Sequence, residues 1–405
     1  MSKKLRAGLV GLGMMGRHHA RILSSLDGVE LVAVSDPGGD PHGVAGGREV
    51  LKSVADLIKV GVDYAMIAAP TAYHEELALQ LADAGIHTLV EKPLAVDTPS
   101  AMKIYEAFKS KGLVGAVGHI ERYNPALQQL RLRLDSGELG SVYQITTRRQ
   151  GPFPARIADV GVIKDLATHD IDSTSWVARA KYKSVSARTA HKSGREHEDM
   201  VAAVCDLDNG IITNHLVNWL TPFKERLTIV TGEKGAFVAD TLTADLTFYA
   251  NASIPTKWDN VATFRGVSEG DVVRFAFAKP EPLRTEHEAF RDAVLGVAGG
   301  IDRIVTMEAG LATVAVASAM LESAKELDAV AAESDIQLSI NVLFDEPCPW
   351  GNFDALMRQR GFKLARSGRG YEFFSNGNII FNSADLDPNK PVTQLTLLLE
   401  IPLIA

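Results

Sequence analysis

The segment "AGLVGLGMMGRHHARIL" near the N-terminus carries the feature that most restricts the fold, the spacing Gly11-x-Gly13-x-x-Gly16. An apolar strand pattern precedes this motif and a helical pattern follows it, which is the context in which such glycines bind a dinucleotide. Gly11 permits a tight turn, Gly13 lets a pyrophosphate approach the backbone, and Gly16 lets helix and strand pack closely. The sequence therefore predicts a dinucleotide site at the start of the first helix, beside Met14 and Met15.

The end of the second predicted strand, "VAVSDP", indicates which dinucleotide is bound. Asp36 lies about 20 residues after Gly16, the usual distance to a ribose-binding carboxylate. A carboxylate at this position accepts a hydrogen bond from the ribose 2′-hydroxyl and repels a 2′-phosphate. We therefore expect NAD as the cofactor in preference to NADP.

The first 120 residues or so alternate apolar strands with helical patterns, which predicts a parallel sheet with helices on both faces. Ligands of such sheets bind beyond the carboxyl ends of the strands. The predicted strands are Leu5–Val10, Glu30–Val34, Tyr64–Ala68, Thr88–Val90 and Val114–Val117.

In "HTLVEKPLAV" an apolar strand runs directly into Glu91 and Lys92. Charges at the carboxyl end of a parallel strand are expected to face the ligand cleft rather than the core, which makes both residues candidates for the cofactor site. The Lys92–Pro93 bond is predicted to be cis, because a cis bond is cheap only before proline. A second strand end, in "AAPTAYHEE", adds the cofactor-site candidates Pro70, Thr71 and His74.

The pattern changes after Asn124. Longer alternating strands follow, and Asn209-Gly210 between two apolar runs indicates a hairpin. We therefore predict an α/β nucleotide-binding (Rossmann) domain over 1–121 and an α+β domain with a large, open, mostly antiparallel sheet over 122–331. Two helices close the second domain, and a small α+β extension occupies 332–405.

Bulk composition excludes some classes of function. The net charge of −8 argues against a nucleic-acid-binding surface, which needs a basic excess. Two cysteines cannot build a disulfide framework, and no stretch of about 18 apolar residues predicts a membrane span. The glycine-containing N-terminus is predicted to be part of a fold rather than a signal peptide, so a cytoplasmic location is expected.

Four segments in order, "GLGMMGRHHAR", "PTAYHEELALQLADAGIHTLVEKPLA", "GHIERYNPAL" and "DVGVIKDLATHDID", resemble the glucose–fructose oxidoreductase/inositol dehydrogenase/MocA (Gfo/Idh/MocA) family over about residues 5 to 330. The resemblance implies a nicotinamide cofactor and the oxidation or reduction of a secondary alcohol of a sugar or cyclitol. It also implies a homodimer or homotetramer formed through the sheet of the second domain. The tail from 332 only faintly resembles the C-terminal domain of the division protein ZipA.

The resemblance also implies roles for individual residues. Lys92 would touch both the substrate and the nicotinamide ribose. Asp165 and His169 match the family's Asp-x-x-x-His, with His169 as the acid/base and Asp165 in contact with its ring or the substrate. The segment that lines the substrate cleft in the family corresponds here to Arg122, Tyr123 and Asn124.

Within the family, "GHIERYNPA" and "RRQGPFPARIADVGVIKDLATHDID" are most similar to UDP-N-acetyl-hexosamine and hexosaminuronate 3-dehydrogenases. Arg148, Arg149 and Arg156 precede the catalytic segment, and arginines suit a diphosphate or carboxylate, although a solvated basic loop is the alternative. A nucleotide sugar is therefore the expected substrate, with inositol or another cyclitol as the alternative. A non-catalytic dinucleotide-binding regulator is the rival class, against which the presence of both Lys92 and His169 argues.

The predicted chemistry follows from residue types. Imidazole titrates near neutrality, so His169 suits proton transfer, and Lys92 can stabilise a developing alkoxide. On a helix Asp165 and His169 would share one face. Asp170 and Asp172 would lie on other faces and no His-x-x-x-His or cysteine pair completes a ligand shell, so no metal site is predicted. Isolated histidines such as His119 and His215 are expected to be satisfied structural residues.

Overall fold

The computed structural model describes residues 4–154, 160–252 and 269–333, together with the backbone of five tail segments. The chain divides into two compact units, 1–324 and 325–405. The division falls within one long helix, a few residues before the predicted boundary at 331/332.

The first sheet is parallel and six-stranded, in the order β3-β2-β1-β4-β5-β6. All five predicted strands are confirmed, and only the two-residue β3 was missed, because so short a strand leaves no periodic pattern. The chain reverses its direction of winding between β1 and β4, which is where a doubly wound sheet binds its ligand. The strands are β1 (Leu5–Val10), β2 (Val29–Ser35), β3 (Val50–Leu51), β4 (Tyr64–Ile67), β5 (His87–Glu91) and β6 (Gly115–Gly118).

Four helices connect these strands. Side-chain oxygens of Ser53 and Asp97 accept backbone N–H groups at the starts of the second and fourth helices, which satisfies donors that the helix itself leaves unpaired. Buried leucines, valines and isoleucines of the strands form one apolar core with the helices. The helices are α1 (Met14–Leu23), α2 (Val54–Val60), α3 (His74–Asp83) and α4 (Thr98–Ser110).

The second sheet has eight strands in the order β14-β13-β12-β11-β7-β10-β9-β8, and every pairing is antiparallel except β7 with β10. Along β9 buried and exposed residues alternate, so one face is covered and the other is open. This confirms the predicted large, mostly antiparallel sheet. The strands are β7 (Val142–Pro152), β8 (Tyr182–Ala190), β9 (Met200–Leu207), β10 (Ile212–Asn218), β11 (Leu220–Gly232), β12 (Gly235–Asp240), β13 (Asp245–Asn251) and β14 (Glu269–Arg274).

Two helices cover the buried face of this sheet, α5 (Pro125–Asp135) and α6 (Thr168–Ala178). The two later helices, α7 (Pro282–Val294) and α8 (Met307–Glu333), were expected to close the second domain. Instead α7 packs into the core of the first sheet, where Phe290 meets Tyr64 edge-on at 5.5 Å between ring centroids. The apolar stripe of α7 is thus buried by the nucleotide-binding domain.

The tail unit contains two small antiparallel sheets, β15 with β19 and the three-stranded β16-β17-β18. The described tail segments contain five strands, and the helix implied by the predicted α+β extension falls on residues outside them. Among the helices of the described part of the chain, none has the length and apolar character to cross a membrane. The tail strands are β15 (Ile336–Cys348), β16 (Lys363–Ser367), β17 (Gly370–Ser375), β18 (Asn378–Ser383) and β19 (Val392–Ile401).

Candidate active site

The glycine loop between β1 and α1 has the geometry that each of its glycines predicts. Gly11 adopts a φ of +93°, and a Cβ there would lie 2.7 Å from the carbonyl group of Ala68. A Cβ on Gly16 would lie 2.1 Å from the carbonyl oxygen of Gly11, so only glycine allows this approach of helix to loop. Gly13 is exposed and a Cβ there would meet nothing within 4 Å, which leaves the backbone open to a ligand.

Asp36 lies at the end of β2, beside this loop. Its Oδ2 accepts a hydrogen bond from the Leu12 N–H at 2.8 Å and its Oδ1 accepts one from the Gly38 N–H at 2.7 Å. Met14, 51% exposed, and the partly exposed Met15 border the same opening at the start of α1. An open glycine backbone, a helix N-terminus and a fixed carboxylate together fit the phosphates and ribose of a dinucleotide.

Lys92 joins the two domains of the first unit. It follows β5 directly, and its bond to Pro93 is cis, as predicted. Its Nζ donates hydrogen bonds to the Asp165 carbonyl oxygen at 2.7 Å and to Asp165 Oδ1 at 3.0 Å. The strand-end lysine therefore contacts the Asp-x-x-x-His segment directly.

Asp165 does not lie on a regular α-helix. It belongs to a π-helical turn, Ile163–Ala167, which continues into α6 and departs from the simple i, i+4 geometry that we expected between Asp165 and His169. π-Helical turns are rare in proteins, and those that do occur are often at functional sites. Glu198 caps this segment by accepting the Ile163 N–H at 3.0 Å, and a Cβ on Gly161 would lie 2.0 Å from the Glu198 carboxylate.

His169 is half-buried, and neither of its ring nitrogens has a hydrogen-bond partner among the residues that the structure describes. Burial lowers the pKa of His169 well below 6.5, and the positive charges of Lys92 and Arg149 lower this pKa further. The sequence predicted that His169 titrates near neutrality, and the structure corrects this prediction to a lower pKa. At pH 7 His169 is a neutral imidazole, able to accept a proton.

Glu91 does not face the cleft, contrary to the prediction. It is only 7% exposed, and its carboxylate is hydrogen-bonded to His19 Nε2 at 2.9 Å and accepts the Lys92 N–H at 3.0 Å. His19 Nδ1 in turn lies 2.8 Å from Nε2 of His287 on α7. Burial by itself raises the pKa of the Glu91 carboxyl, but the contacts with His19 and Lys92 together outweigh it, so that the pKa is lowered.

His74 is also internal. It is 1% exposed, and its ring nitrogens lie 3.0 Å from the Pro93 carbonyl oxygen and 2.9 Å from the Ala69 carbonyl oxygen. It therefore links the loop after β4 to the segment that carries Lys92, rather than lining the cofactor site. Pro70 is exposed and Thr71 partly exposed at the end of β4, where they stay candidates for cofactor contact.

The three residues expected to line the substrate cleft are occupied by structural contacts. Arg122 is bound through two hydrogen bonds of 2.8 and 2.6 Å to the Asp172 carboxylate. Tyr123 is buried in the apolar core of the first domain. Asn124 caps α5 through the Ala126 N–H and donates to the Thr241 carbonyl oxygen at 2.9 Å.

The sequence predicted a cluster of Arg148, Arg149 and Arg156, and this prediction is wrong for Arg148 and Arg149. Successive residues of β7 point to opposite faces of the sheet. Arg149 lies on the buried face, 2.9 Å from both Asp170 Oδ1 and Glu121 Oε1, whereas Arg148 lies on the other face and pairs with Glu225 at 3.0 Å. Arg156 lies outside the described residues.

No group of three or more histidine, cysteine or acidic side chains arranged for a metal ion occurs within the described ranges. Asp170 and Asp172, which the sequence offered as ligands, are each paired with an arginine instead. Lys92, Asp165 and His169 stay the candidate catalytic residues.

Two family models match the chain. Residues 5–119 match the model described as "Oxidoreductase family, NAD-binding Rossmann fold", and residues 127–238 match the "GFO/IDH/MocA C-terminal domain". The chain belongs to the Gfo/Idh/MocA family. It is therefore an NAD-dependent oxidoreductase, with NAD as the cofactor of its Rossmann domain.

Two relatives and one solved structure show the range of the similarity. The UDP-N-acetylglucosamine 3-dehydrogenase of Acidithiobacillus ferrooxidans is 31% identical over 212 residues, which are 52% of this chain and 66% of that enzyme. The scyllo-inositol 2-dehydrogenase (NAD(+)) of Bacillus subtilis is 27% identical over 328 residues, which are 77% of this chain and 94% of the relative. A solved structure of the A. ferrooxidans enzyme has a TM-score of 0.66 and 26% identity, and covers 80% of this chain and 98% of that one.

One residue of this family member was misjudged from the sequence and a second was missed. Both ring nitrogens of His119, which follows β6, are buried without a hydrogen-bond partner among the described residues, so the expectation of a satisfied structural histidine is wrong. Arg226 on β11 lies on the same face of the sheet as Arg149. The alternation in "KERLTIVTG" was the available signal for Arg226, but it does not indicate which strand is its neighbour.

Proposed function

We propose that this protein oxidises or reduces a secondary alcohol of a nucleotide sugar, as a UDP-N-acetyl-hexosamine or hexosaminuronate 3-dehydrogenase. The observation that carries the proposal is the contact of Lys92 with Asp165, one turn before His169. The oxidation of a secondary alcohol by a nicotinamide needs two groups of this kind. A neutral imidazole accepts the hydroxyl proton, and a cation stabilises the negative charge that develops on the oxygen.

The residues at the edge of the first sheet would hold NAD. Gly11, Gly13 and Gly16 leave the backbone open to the pyrophosphate, and Asp36 would accept the ribose hydroxyls. Bound NAD would supply the hydride acceptor for the carbinol carbon of the substrate, and NADH the hydride donor for the reverse reaction. Thr71 and Pro70 would contact the cofactor from the end of β4.

The residues around the alcohol would accept its proton and stabilise the charge left on its oxygen. In the oxidative direction His169 accepts the proton of the hydroxyl group, which its lowered pKa permits at pH 7. The Lys92 ammonium group donates to the same oxygen and stabilises its growing negative charge. Asp165 holds Lys92 in place from the second domain, and its Oδ2, buried and unpartnered among the described atoms, is available to a substrate hydroxyl.

The assignment of a nucleotide sugar is supported by the similarity to a UDP-N-acetylglucosamine 3-dehydrogenase in both sequence and fold. A cyclitol is the second candidate substrate, favoured by the longer alignment with a scyllo-inositol 2-dehydrogenase. A regulator that binds NAD without turnover is the alternative class. A regulator of this kind would not need Lys92 held against Asp165 or an imidazole at His169 without a hydrogen-bond partner among the described residues.

The open face of the second sheet supports a proposed homodimer or homotetramer. Large apolar side chains are exposed there in two groups, one on β9 and β10 and one on β13 and β14, and exposed apolar patches are typical of interfaces. Examples are Val204 (54% exposed), Ile212 (48%), Tyr249 (48%) and Val272 (60%).

The decisive experiment mixes purified protein and NAD with UDP-N-acetylglucosamine, its uronic acid analogue, myo-inositol or scyllo-inositol, and follows the absorbance of NADH. Turnover of a UDP-sugar supports the proposal. If only an inositol is turned over, the substrate is a cyclitol rather than a nucleotide sugar. If none of the four compounds is turned over, the result favours a regulator that binds NAD without catalysis. Mass spectrometry of small molecules retained by the purified protein is an independent measurement, and a retained UDP-sugar with NAD(H) is the expected result.

A further inference from the structure

Arg226 is a cation on the site-facing side of the second sheet. Along β11 the residues Thr228 and Val230 are buried, and the period of two puts Arg226 on their face. In the antiparallel pairing of β11 with β7, Arg226 lies opposite Arg149. Two guanidinium groups are therefore adjacent on the face that also carries the π-helical turn and α6.

The neighbouring cations each have a carboxylate, and Arg226 does not. Arg149 is bound by Asp170 and Glu121, and Arg122 by Asp172. Arg226 Nη1 donates only to backbone carbonyl oxygens, those of Gln150 at 2.6 Å and Glu225 at 2.8 Å. Across the described ranges, no carboxylate oxygen lies within 4 Å of the Arg226 guanidinium.

The rest of this guanidinium is accessible. Arg226 is half-buried. Its Nε and Nη2 have no hydrogen-bond partner among the described residues, and both atoms keep some contact with solvent. On this face of β7, Arg226 is flanked by Arg149, which lies opposite it, and by Gly151, where a Cβ would lie 3.9 Å from both Nη1 and Nη2 and 3.5 Å from Cγ of Lys224. Because position 151 is a glycine, β7 places no side chain over the guanidinium from that position.

Arg226 lies near the catalytic groups. Asp170, which directly follows His169, is hydrogen-bonded to Arg149, the strand neighbour of Arg226. The charge of Arg226 also contributes to the lowered pKa of His169. A ligand atom bound by Arg226 would therefore lie on the face of the sheet that carries the His169–Asp170 segment.

We propose that Arg226 binds an oxyanion of the substrate, either a carboxylate on the sugar ring or a phosphate of the nucleotide. This rests on the proposed function and deepens it, because it makes an anionic sugar the preferred substrate. A guanidinium is suited to both groups, since its planar fork donates two parallel hydrogen bonds. A neutral cyclitol leaves the cation without a counter-charge and is bound less tightly.

The test measures binding directly, so that it does not depend on turnover. Titration calorimetry with the NADH-loaded protein compares UDP-N-acetylglucosamine, its uronic acid analogue, free glucuronate and myo-inositol. The variants are Arg226→Gln, which removes the charge, and Arg226→Lys, which keeps it without the fork. Arg148→Gln is the matched control, because it removes an arginine from the opposite face of the sheet.

Loss of one charge-assisted contact weakens binding by about tenfold to a hundredfold. We expect this loss in Arg226→Gln for anionic ligands, partial recovery in Arg226→Lys, and no change for myo-inositol or in the control. A loss confined to the uronic acid analogue and glucuronate identifies the ring carboxylate, and an equal loss for both UDP-sugars identifies the phosphate. NADH affinity shows that each variant is folded.

Two results would overturn the proposal. One is unchanged affinity of Arg226→Gln for every anionic ligand, and the other is a wild-type protein that binds no anionic ligand more tightly than myo-inositol. The proposed function fails separately, when anionic sugars bind through Arg226 but none is turned over with NAD.

Discussion

Lys92 Nζ lies 2.7 Å from the carbonyl oxygen and 3.0 Å from the carboxylate of Asp165, a residue that is 73 positions later in the chain and in another domain. The lysine side chain is only 16% exposed, so this contact is largely shielded from water. Because Lys92 also ends a strand of the nucleotide-binding sheet, the contact places the cofactor edge of one domain against the Asp-x-x-x-His segment of the other. The following predictions test the consequences.

Replacement of His169 by alanine should lower turnover and leave NAD affinity unchanged, because the imidazole acts on the substrate proton alone. A general acid or base contributes about 10²–10⁴-fold, so the loss in kcat should fall in this range without being total. Steady-state kinetics and NADH titration measure the two effects. His42→Ala, at an exposed position, serves as the control, and near-wild-type kcat in His169→Ala would contradict the assignment.

The rate of alcohol oxidation should fall at acid pH, with an apparent pKa below 6.5. His169 must be neutral to accept the proton, and burial together with the charges of Lys92 and Arg149 lowers its pKa, which favours the neutral form. Activity is therefore complete at pH 7 and is lost only as the pH falls through the lowered value. A pH profile of kcat measures this, and the limb should disappear in His169→Ala. An acid limb at or above pH 6.5 would be evidence against this environment for His169.

Asp36→Ser should weaken the preference for NAD(H) over NADP(H). The carboxylate repels a 2′-phosphate and the hydroxyl does not, so the dissociation constants of the two cofactors should converge. The substitution also removes the acceptor for the Leu12 N–H, so some loss of NAD affinity accompanies the change. Fluorescence titration of both reduced cofactors measures the ratio. Wild-type protein that binds NADPH as tightly as NADH would refute the role of Asp36.

Glu91→Gln should destabilise the fold. The buried Glu91 carboxylate accepts hydrogen bonds from the Lys92 N–H and, in the matching tautomer, from His19 Nε2–H, so a neutral amide disturbs this contact, at a cost of about 1–3 kcal/mol in the free energy of unfolding. Because the folded-state pKa of Glu91 is lowered, its contribution is present above the unfolded-state pKa and is lost as the pH falls. Urea unfolding at pH 7 and pH 4 measures both effects, with the exposed Glu106→Gln as control. Equal stability of the two variants would show that the His19 contact contributes little.

A chain that ends near residue 332 should still fold and bind NAD(H). The compact unit 1–324 contains the whole first core and the eight-stranded sheet, and the family models match residues only within it. Circular dichroism and NADH titration of the shortened protein check this. If the shortened chain does not fold, the tail completes the core or an oligomer contact.

Local patterns were sufficient for most of the secondary structure. Strand β1 has the predicted bounds and strand β4 begins at the predicted Tyr64, because a continuous apolar run identifies a strand without reference to its neighbours. The glycine loop was also predicted in detail, since the positive φ of Gly11 and the approach of Gly16 to the Gly11 carbonyl oxygen depend on residues only a few positions apart. The same holds for the order of domains up to about residue 330.

Side-chain partners could not be predicted in the same way. Arg148 and Arg149 are adjacent in sequence and lie on opposite faces, and Arg149 is neutralised by Asp170 and Glu121 from other elements. The π-helical turn that holds Asp165 also gave no periodic signal, because it inserts into a pattern that continues as an α-helix on its C-terminal side.

The sequence by itself determined the dinucleotide fold and the family, and it indicated Lys92, Asp165 and His169 as candidate catalytic residues. Only the tertiary structure decided that Glu91 and His74 are internal and that Arg226, unlike its neighbours Arg149 and Arg122, has no carboxylate partner among the described residues. The physical reason is distance along the chain. Backbone conformation follows from nearby residues, whereas burial, charge neutralisation and pKa depend on groups that folding brings together from remote positions.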